Sequence, residues 1–143
     1  MDIRMLATAD APLLAHVADD LFDKPIQPHL TAEFLADPRH HICVAVEDGR
    51  IVSFASAVHY LHPDKPTELW INEVATAPAY RRRGLSQAVL ERLLAHAREL
   101  GCREAWVLTD EDNGPARALY GSVGGEESTG VVMVTFRLDD EAP

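Results

Sequence analysis

The 143-residue chain has few cysteines and few basic residues, and it lacks long apolar runs. Its two cysteines, Cys43 and Cys102, form no C-x-x-C pair and therefore no zinc motif, and their apolar surroundings suit buried thiols in a reducing compartment. No apolar run approaches the roughly 20 residues of a membrane-spanning helix, and the start, MDIRMLATAD, lacks the apolar core of a signal peptide. The sequence therefore predicts a cytoplasmic protein.

Acidic residues outnumber basic ones, with 23 Asp and Glu against 13 Lys and Arg and a net charge of −10. This balance argues against nucleic acid as the main partner, because phosphate binding needs a basic face, and it favours cationic partners. Solubility alone explains any single acidic cluster, whereas several clusters around one site would attract a cation. The clusters are Asp19 and Asp20 with Asp23, Asp110 to Asp112, Glu126 with Glu127, and Asp139 to Glu141.

Length and composition predict one domain, residues 1–143, with a single core. We find no internal repeat, low-complexity segment or linker. Residue patterns predict helices and strands in an order typical of a mixed sheet with helices on it. The predicted strands are 2–6, 41–46, 51–60, 68–76, 104–109 and 131–138, and the predicted helices are 11–22, 31–35 capped by Thr31, 85–100, and one that begins at Pro115.

The stretch 69–99 combines an apolar strand, a basic turn and an amphipathic helix. Leu85, Val89 and Leu93 recur at helical spacing, and the turn before them reads Arg81-Arg82-Arg83-Gly84. The first turn of a helix has unpaired N–H groups and the positive end of the helix dipole, so it can hold a phosphate. The alternative interpretation of the three arginines is a solvated basic patch on the surface, with no bound phosphate. Neither G-x-x-x-x-G-K-[ST] nor G-x-G-x-x-G is present, which argues against a nucleoside triphosphate or dinucleotide.

Two motifs in this chain resemble those of one known superfamily. Arg81-x-x-Gly84-x-Ser86 resembles the (Q/R)-x-x-G-x-(G/A) pyrophosphate loop of the GNAT acyltransferases, although Ser86 replaces a small apolar residue. Asn113-x-x-Ala116-x-x-Leu119-Tyr120 resembles the family's N-x-x-A-x-x-L-Y signature. The resemblance implies an α/β (α+β) fold: a mixed, mostly antiparallel sheet flanked by helices and splayed between its two central strands. It also implies acetyl-CoA as acyl donor and no metal.

In this family the pantetheine arm of acetyl-CoA lies where the sheet splays, here between 71–76 and 106–110. The resemblance implies that backbone groups at the end of the strand 68–76 pair with the arm like an added strand. It also implies that N–H groups from Arg82 to Gln87 hold the pyrophosphate, and that Asn113 bonds the arm or a nearby water. The expected cofactor-binding residues are Val74, Ala75, Thr76, Arg81, Arg82, Arg83, Gly84, Leu85, Ser86, Gln87 and Asn113.

Acetyl transfer to an amine needs a base for the ammonium proton and an acid for the leaving thiolate. Strict alternation along the strand places Leu69, Ile71 and Glu73 on one face, so we expect Glu73 to be a buried general base whose pKa burial raises. The alternative is a strand-end glutamate that faces water. Tyr120 occupies the family's general-acid position. Because it lies on the apolar face of its predicted helix, its alternative role is packing in the core. Whether Glu73 acts directly or through water stays open.

Within the superfamily, most of the chain resembles the aminoglycoside 3-N-acetyltransferases, through Asp19 to Phe22, Ala55 to Tyr60 and Asn72 to Ala75. Aminoglycosides are polycations, which agrees with the acidic composition. The resemblance implies acceptor contacts at Asp110, Glu111, Asp112, Asp139 and Asp140. A polyamine, another small amine or a peptide amine is the alternative acceptor, and a non-catalytic acyl-CoA-binding module is a second alternative. Related enzymes are often dimers, so a homodimer is also considered.

The histidine pairs His40-His41 and His59-x-x-His62 do not predict a metal site. Adjacent strand residues point to opposite faces, and no carboxylate or cysteine at ligand spacing accompanies them. His59, near a strand end, is a candidate for the acceptor mouth.

Overall fold

A five-stranded sheet organises the protein, and the computed structural model describes residues 1–139. Its strands are β1 (Asp2–Met5), β2 (His40–Glu47), β3 (Arg50–Tyr60), β4 (Glu68–Thr76) and β5 (Glu104–Val107), and their spatial order follows the chain. The first four strands pair antiparallel, whereas β4 and β5 pair parallel. The predicted mixed, mostly antiparallel sheet is confirmed.

Helices lie on both faces of the sheet. They are a 3₁₀ helix (Thr8–Ala15), α1 (Pro28–Ala36), α2 (Leu85–Glu99) and α3 (Gly114–Ser122), with a short 3₁₀ turn at Pro78–Tyr80. Phe54 of β3 stacks on Phe22 of the N-terminal region, with ring centroids 4.2 Å apart. Its neighbour Ser53 points the other way and connects through Thr76 to Ser86 of α2. We therefore call the two sides of the sheet the N-terminal face and the α2 face. Among residues 1–139, no helix is long and apolar enough to cross a membrane.

The core lies on both faces of the sheet: Phe54 and its ladder partner Val44 are buried on the N-terminal face, and Leu69 is buried on the α2 face. Val44, Phe54 and Leu69 of the sheet and Val89 and Leu93 of α2 are almost fully buried. The predicted helix 85–100 is confirmed, because its apolar stripe faces this core and its charged residues face solvent.

The predicted helix 11–22 is wrong. The chain forms the 3₁₀ helix Thr8–Ala15 and then runs irregularly, because the end of the segment binds the sheet. The Ile51 N–H donates to the His16 carbonyl (2.9 Å), and the Ala18 N–H donates to the Ile51 carbonyl (2.8 Å). These bonds replace the intrahelical ones that periodicity predicted.

Other boundaries also differ from the prediction by one to three residues. Helix α1 begins at Pro28 rather than at Thr31, since proline is well suited to a first helical turn. Strand β5 ends at Val107 instead of residue 109, and α3 begins at Gly114 with Asn113 as its N-cap.

The predicted strand 131–138 is also wrong. The segment pairs with no strand among residues 1–139, and its large apolar residues are 65% to 96% exposed. Its valine-rich alternation favours an extended backbone, but a strand also needs a partner edge, and the local pattern does not supply one. We refer to residues 131–138 as the C-terminal segment.

Stability should depend on pH through His41, which is buried on β2. Its Nε2 lies 2.7 Å from Nδ1 of His59, and its ring lies 5.1 Å from that of His96. Burial first, and then these neighbours, lower the pKa of His41 from 6.5 to about 4. Below pH 6.5 the unfolded chain therefore binds more protons than the folded one, and we expect roughly 1–3 kcal/mol of stability to be lost between pH 6.5 and 4.

Urea unfolding across this pH range measures the effect. The His41→Gln variant should lose less stability on acidification than the wild type, whereas His29→Gln, at an exposed position of α1, should behave like the wild type. Equal losses for wild type and His41→Gln would exclude this role for His41.

Candidate functional site

A gap opens in the sheet where β4 and β5 separate. The two strands pair only from Glu68 to Ile71 and from Glu104 to Val107. Beyond Ile71, β4 continues to Thr76 with no strand on that edge among residues 1–139. This is the splay that was predicted between 71–76 and 106–110, although β5 is the edge strand of the described sheet and not a central one. The splay leaves backbone groups of β4 free to bind an extended ligand.

A β-bulge in β4 decides which way Glu73 points. Ile71 is opposite Ala57 and Glu73 is opposite Ser56, so Asn72 has no partner on β3. Partners across a ladder share a face, whereas the neighbours Ser56 and Ala57 point to opposite faces. Glu73 therefore lies on the N-terminal face, opposite to Ile71, and the prediction that both share one face is wrong.

Glu73 is exposed, so the predicted burial of this carboxylate is also wrong. The register places Trp70 on the same face, where its ring stacks on that of Trp106 with centroids 5.2 Å apart. Trp70 remains 40% exposed. An accessible carboxylate on the same face as an open aromatic pair can meet a cationic molecule that approaches from solvent.

The turn before α2 presents free backbone donors. Gly84 is the N-cap of α2 with φ 74°, and Arg82 has φ 65°. Glycine adopts this left-handed conformation without the strain that a Cβ would add. Among residues 1–139, no acceptor binds the N–H groups from Arg82 to Gln87. These groups and the helix dipole form an anion-binding turn at the end of the gap.

The three arginines of this turn are not equivalent. Arg83 binds both carboxylate oxygens of Glu47, the last residue of β2, at 3.1 and 2.8 Å. Arg81 and Arg82 are exposed and make no salt bridge within the part of the chain that the structure describes. The structure thus assigns Arg83 to bracing the turn and leaves the other two arginines free for a phosphate.

A chain of hydroxyl groups braces the same turn, and sequence reasoning missed it. The buried Ser53 Oγ donates to the Ala75 carbonyl (2.9 Å) and lies 2.8 Å from Thr76 Oγ1, which lies 2.7 Å from Ser86 Oγ. Since each hydroxyl has one proton, Ser86 donates to Thr76 and Thr76 donates to Ser53. The only sequence signal for this network is the unusual serine at position 86.

The same contacts define which backbone groups of β4 face the gap. The Ala77 N–H donates to the Val52 carbonyl of β3 (2.9 Å), and alternate residues of a strand direct their backbone groups to the same edge. Ala75 therefore also turns toward β3, which agrees with its bond to Ser53. Val74 and Thr76 face the gap, but the prediction that the Ala75 backbone does so is wrong.

Tyr120 lies on the α2 face, opposite to Glu73, beside the last paired residues of β4 and β5. It lines a cavity of about 280 Å³ together with Ile71, Leu90, Leu94 and Val107. Burial raises the pKa of Tyr120 above its ordinary value, so the hydroxyl stays protonated at neutral pH. This hydroxyl forms no hydrogen bond with any residue from 1 to 139. Tyr120 therefore combines a packed ring with an available proton.

Asn113 and the acidic residues before it, Asp110 to Asp112, lie between β5 and α3. We call Asp110 to Asp112 the acidic turn. The Asn113 Oδ1 accepts the Ala116 N–H (3.1 Å) and caps α3, which leaves its amide nitrogen available as a donor to a ligand. Asp110, Glu111 and Asp112 are exposed, and their carboxylates form no salt bridge within residues 1–139. The structure brings these three predicted acceptor residues to the end of the strand that borders the gap.

The structure does not bring the other predicted acceptor residues to this site. Asp139 is exposed beyond the C-terminal segment, where its carboxylate accepts a bond from Arg137 (3.1 Å), and it does not line the cavity of Tyr120. Asp140 lies outside the described residues. His59 binds His41 and does not line the cavity either. Within residues 1–139, no group of three or more metal-ligating side chains is placed to hold a metal ion.

Comparison with known proteins identifies related sequences. The profile of the acetyltransferase (GNAT) family matches residues 11–124. An uncharacterized N-acetyltransferase of Mycobacterium tuberculosis (strain H37Rv) is 30% identical over 119 residues, which cover 83% of this chain and 73% of the relative. The [ribosomal protein bS18]-alanine N-acetyltransferase of Escherichia coli K12 is 28% identical over 127 residues, covering 89% of this chain and 82% of the relative.

Solved structures share the fold over nearly the whole chain. An aminoglycoside acetyltransferase from an uncultured soil metagenomic sample, in complex with sisomicin, has a TM-score of 0.81 at 20% identity and covers 96% of each chain. A ribosomal-protein-alanine N-acetyltransferase from Brucella melitensis has a TM-score of 0.73 at 17% identity and covers 95% of this chain and all of that one. These similarities extend the family match to the architecture.

Proposed function

The chain belongs to the GNAT family of N-acetyltransferases, which use acetyl-CoA, and we propose that it acetylates an amine of a polycationic small molecule, foremost the 3-amino group of an aminoglycoside. The observation that carries the proposal is the set of three exposed, unpaired carboxylates, Asp110 to Asp112, at the border of the gap. We further propose that residues 1–143 act as a single domain. The two free cysteines support a cytoplasmic location.

The geometry supports direct transfer across the gap. Acetyl-CoA supplies the acetyl group as a thioester. Backbone groups of Val74 and Thr76 would hold its arm, and the N–H groups from Arg82 to Gln87 would hold its pyrophosphate. Glu73 takes a proton from the ammonium group of the acceptor, and the neutral amine attacks the thioester carbonyl carbon. Tyr120 donates its proton to the sulfur as the C–S bond breaks, and the second proton of the acetylated nitrogen returns Tyr120 to its protonated form.

The positions of Glu73 and Tyr120 agree with their proposed roles as base and acid. Glu73 is exposed on the N-terminal face, where an acceptor can reach it from solvent. Tyr120 lies on the α2 face in a partly apolar cavity, where the leaving sulfur would be shielded from water. The acceptor and the leaving group thus meet different environments on the two sides of the gap.

A peptide amine is the second candidate acceptor, since one relative at 28% identity acts on an alanine of a ribosomal protein. The assay that separates the candidates is thiol release from acetyl-CoA with gentamicin, kanamycin, spermidine or an alanine-initiated peptide, and with no acceptor as control. Fastest release with an aminoglycoside is the expected result. Release only with the peptide or spermidine would overturn the proposed acceptor, and no release would call for a coenzyme A binding measurement to test for a non-catalytic module.

The acidic turn should determine affinity for a polycation. Replacing Asp110, Glu111 and Asp112 with their amides removes three unpaired carboxylates, so we expect KM for the aminoglycoside to rise roughly tenfold at low salt, with less difference at high salt. A matched control replaces Glu33, Glu91 and Glu99, which are exposed on α1 and α2, with glutamine. An equal rise in KM in both variants would show that only net charge matters.

A further inference from the structure

Two tryptophans form an aromatic pair on the N-terminal face, and they are the only two tryptophans in the chain. Trp70 of β4 is the ladder partner of Trp106 of β5, and their rings stack with centroids 5.2 Å apart at an angle of 11°. Trp70 is nevertheless 40% exposed. Because an indole ring gains more than most side chains when it is covered, this open ring is a candidate contact for a ligand.

Hydrogen bonds hold the pair in place from below. The Trp106 Nε1–H donates to the Tyr60 hydroxyl (2.9 Å), and this hydroxyl donates to one carboxylate oxygen of Glu68 (3.4 Å). The other oxygen of Glu68 lies 2.9 Å from Nε2 of His62. Since the indole nitrogen of Trp106 already has its acceptor within the protein, a ligand can cover the aromatic surface without leaving this polar group unpaired. The pair is therefore a preorganised surface.

Carboxylates lie at both ends of the aromatic pair on the same face. Glu68 and Glu104 are ladder partners two residues before Trp70 and Trp106, so strand alternation places them on the N-terminal face. Glu104 is exposed and forms no salt bridge with another residue from 1 to 139. Glu73 lies at the other end, and a rise of about 3.3 Å per residue places it roughly 13–17 Å from Glu68 along β4. Each end can therefore attract an ammonium group.

We propose that Trp70 and Trp106 form a platform on which a ring of the acceptor stacks, and that the platform selects a cyclic polyamine, such as an amino sugar or an aminocyclitol, over a linear one. The C–H face of the ring covers the exposed indole, its ammonium groups lie near the aromatic faces and the flanking carboxylates, and the reacting amine is held at Glu73. A rigid ring loses less conformational freedom on binding than a flexible chain does. The inference rests on the proposed function, whose acceptor it places.

Tryptophan fluorescence measures this contact directly, because both tryptophans of the chain belong to the platform. The wild-type protein is titrated with gentamicin, kanamycin or spermidine in the presence of coenzyme A, which carries no acetyl group, so that no transfer occurs. We expect a saturable change in emission with both aminoglycosides and roughly tenfold weaker binding of spermidine. Unchanged emission in a protein that acetylates gentamicin overturns the platform and leaves the proposed function intact. A saturable change without acetylation supports the platform and overturns the proposed function.

Substitution of Trp70 separates contact with the acceptor from a structural role. Trp70→Ala should raise KM for gentamicin roughly 10- to 100-fold, with kcat and KM for acetyl-CoA within about twofold of the wild type, because only acceptor binding is removed. Trp70→Tyr keeps an aromatic face and should restore most of the affinity. The matched control Leu100→Ala shortens a side chain of similar exposure, 39%, at the end of α2, and should leave both KM values unchanged. An unchanged KM for gentamicin in Trp70→Ala, or an equal rise in both KM values, overturns the proposal.

Discussion

The Tyr120→Phe variant should retain acetyl-CoA binding and lose turnover by roughly 10- to 1000-fold, as expected for the loss of one proton donor. The ring still packs against the hydrophobic core, so the cavity should keep its shape. Only the phenolic hydroxyl group, and with it the proton, is removed. Steady-state kinetics together with calorimetric titration of coenzyme A measure the two effects separately.

Tyr80→Phe is the matched control for this variant. Tyr80 is also partly buried, and its hydroxyl forms no hydrogen bond with residues 1–139. Its loss should change turnover by less than about twofold, as expected for an unpaired surface hydroxyl. Unchanged turnover in Tyr120→Phe would exclude the general-acid role and leave Tyr120 as a packing residue.

Glu73→Gln should lower kcat/KM by a similar factor and remove the acidic limb of its pH profile. A glutamine has the same shape but cannot accept the proton of the ammonium group, and it does not titrate. Because Glu73 is exposed, the substitution leaves the core intact, and stability should be almost unchanged. The measurement is kcat/KM from pH 5 to 9 for both proteins.

The outcome of this profile distinguishes two ways in which Glu73 could matter. If the variant is slow and its acidic limb persists, another group is the base and Glu73 only attracts the cationic acceptor. In that case raising the ionic strength should reduce the difference between variant and wild type, because salt screens exposed charges. Glu126→Gln, at an exposed position beyond α3, is the matched control and should resemble the wild type.

The parts of the site that depend on local order were predictable from the sequence. The turn Arg81 to Gly84 followed by the stripe of Leu85, Val89 and Leu93 predicts a helix whose first turn can bind an anion, and the structure places free N–H groups there. Hairpin pairing of β2 with β3 also follows from alternation and the Asp48-Gly49 turn. These features depend on residues close together in the chain.

Features that depend on distant partners could not be predicted. The bulge at Asn72 is a feature of the pairing of β4 with β3, and it places Glu73 on the other face and in solvent. The bond between Ala18 and Ile51 replaces a helix that periodicity favoured. The hydroxyl chain from Ser53 to Ser86 connects three elements whose residues show no shared pattern in the sequence.

The sequence alone was therefore enough to predict the family, the order of most helices and strands, the anion-binding turn and the acidic character of the chain. Tertiary structure decided the face on which each catalytic candidate lies, which of the three arginines is free, and which strand lacks a partner. The physical reason is the range of the interactions. Backbone propensity, helix dipole and charge act between near neighbours in sequence, whereas register, hydroxyl networks and strand pairing require two distant segments to meet.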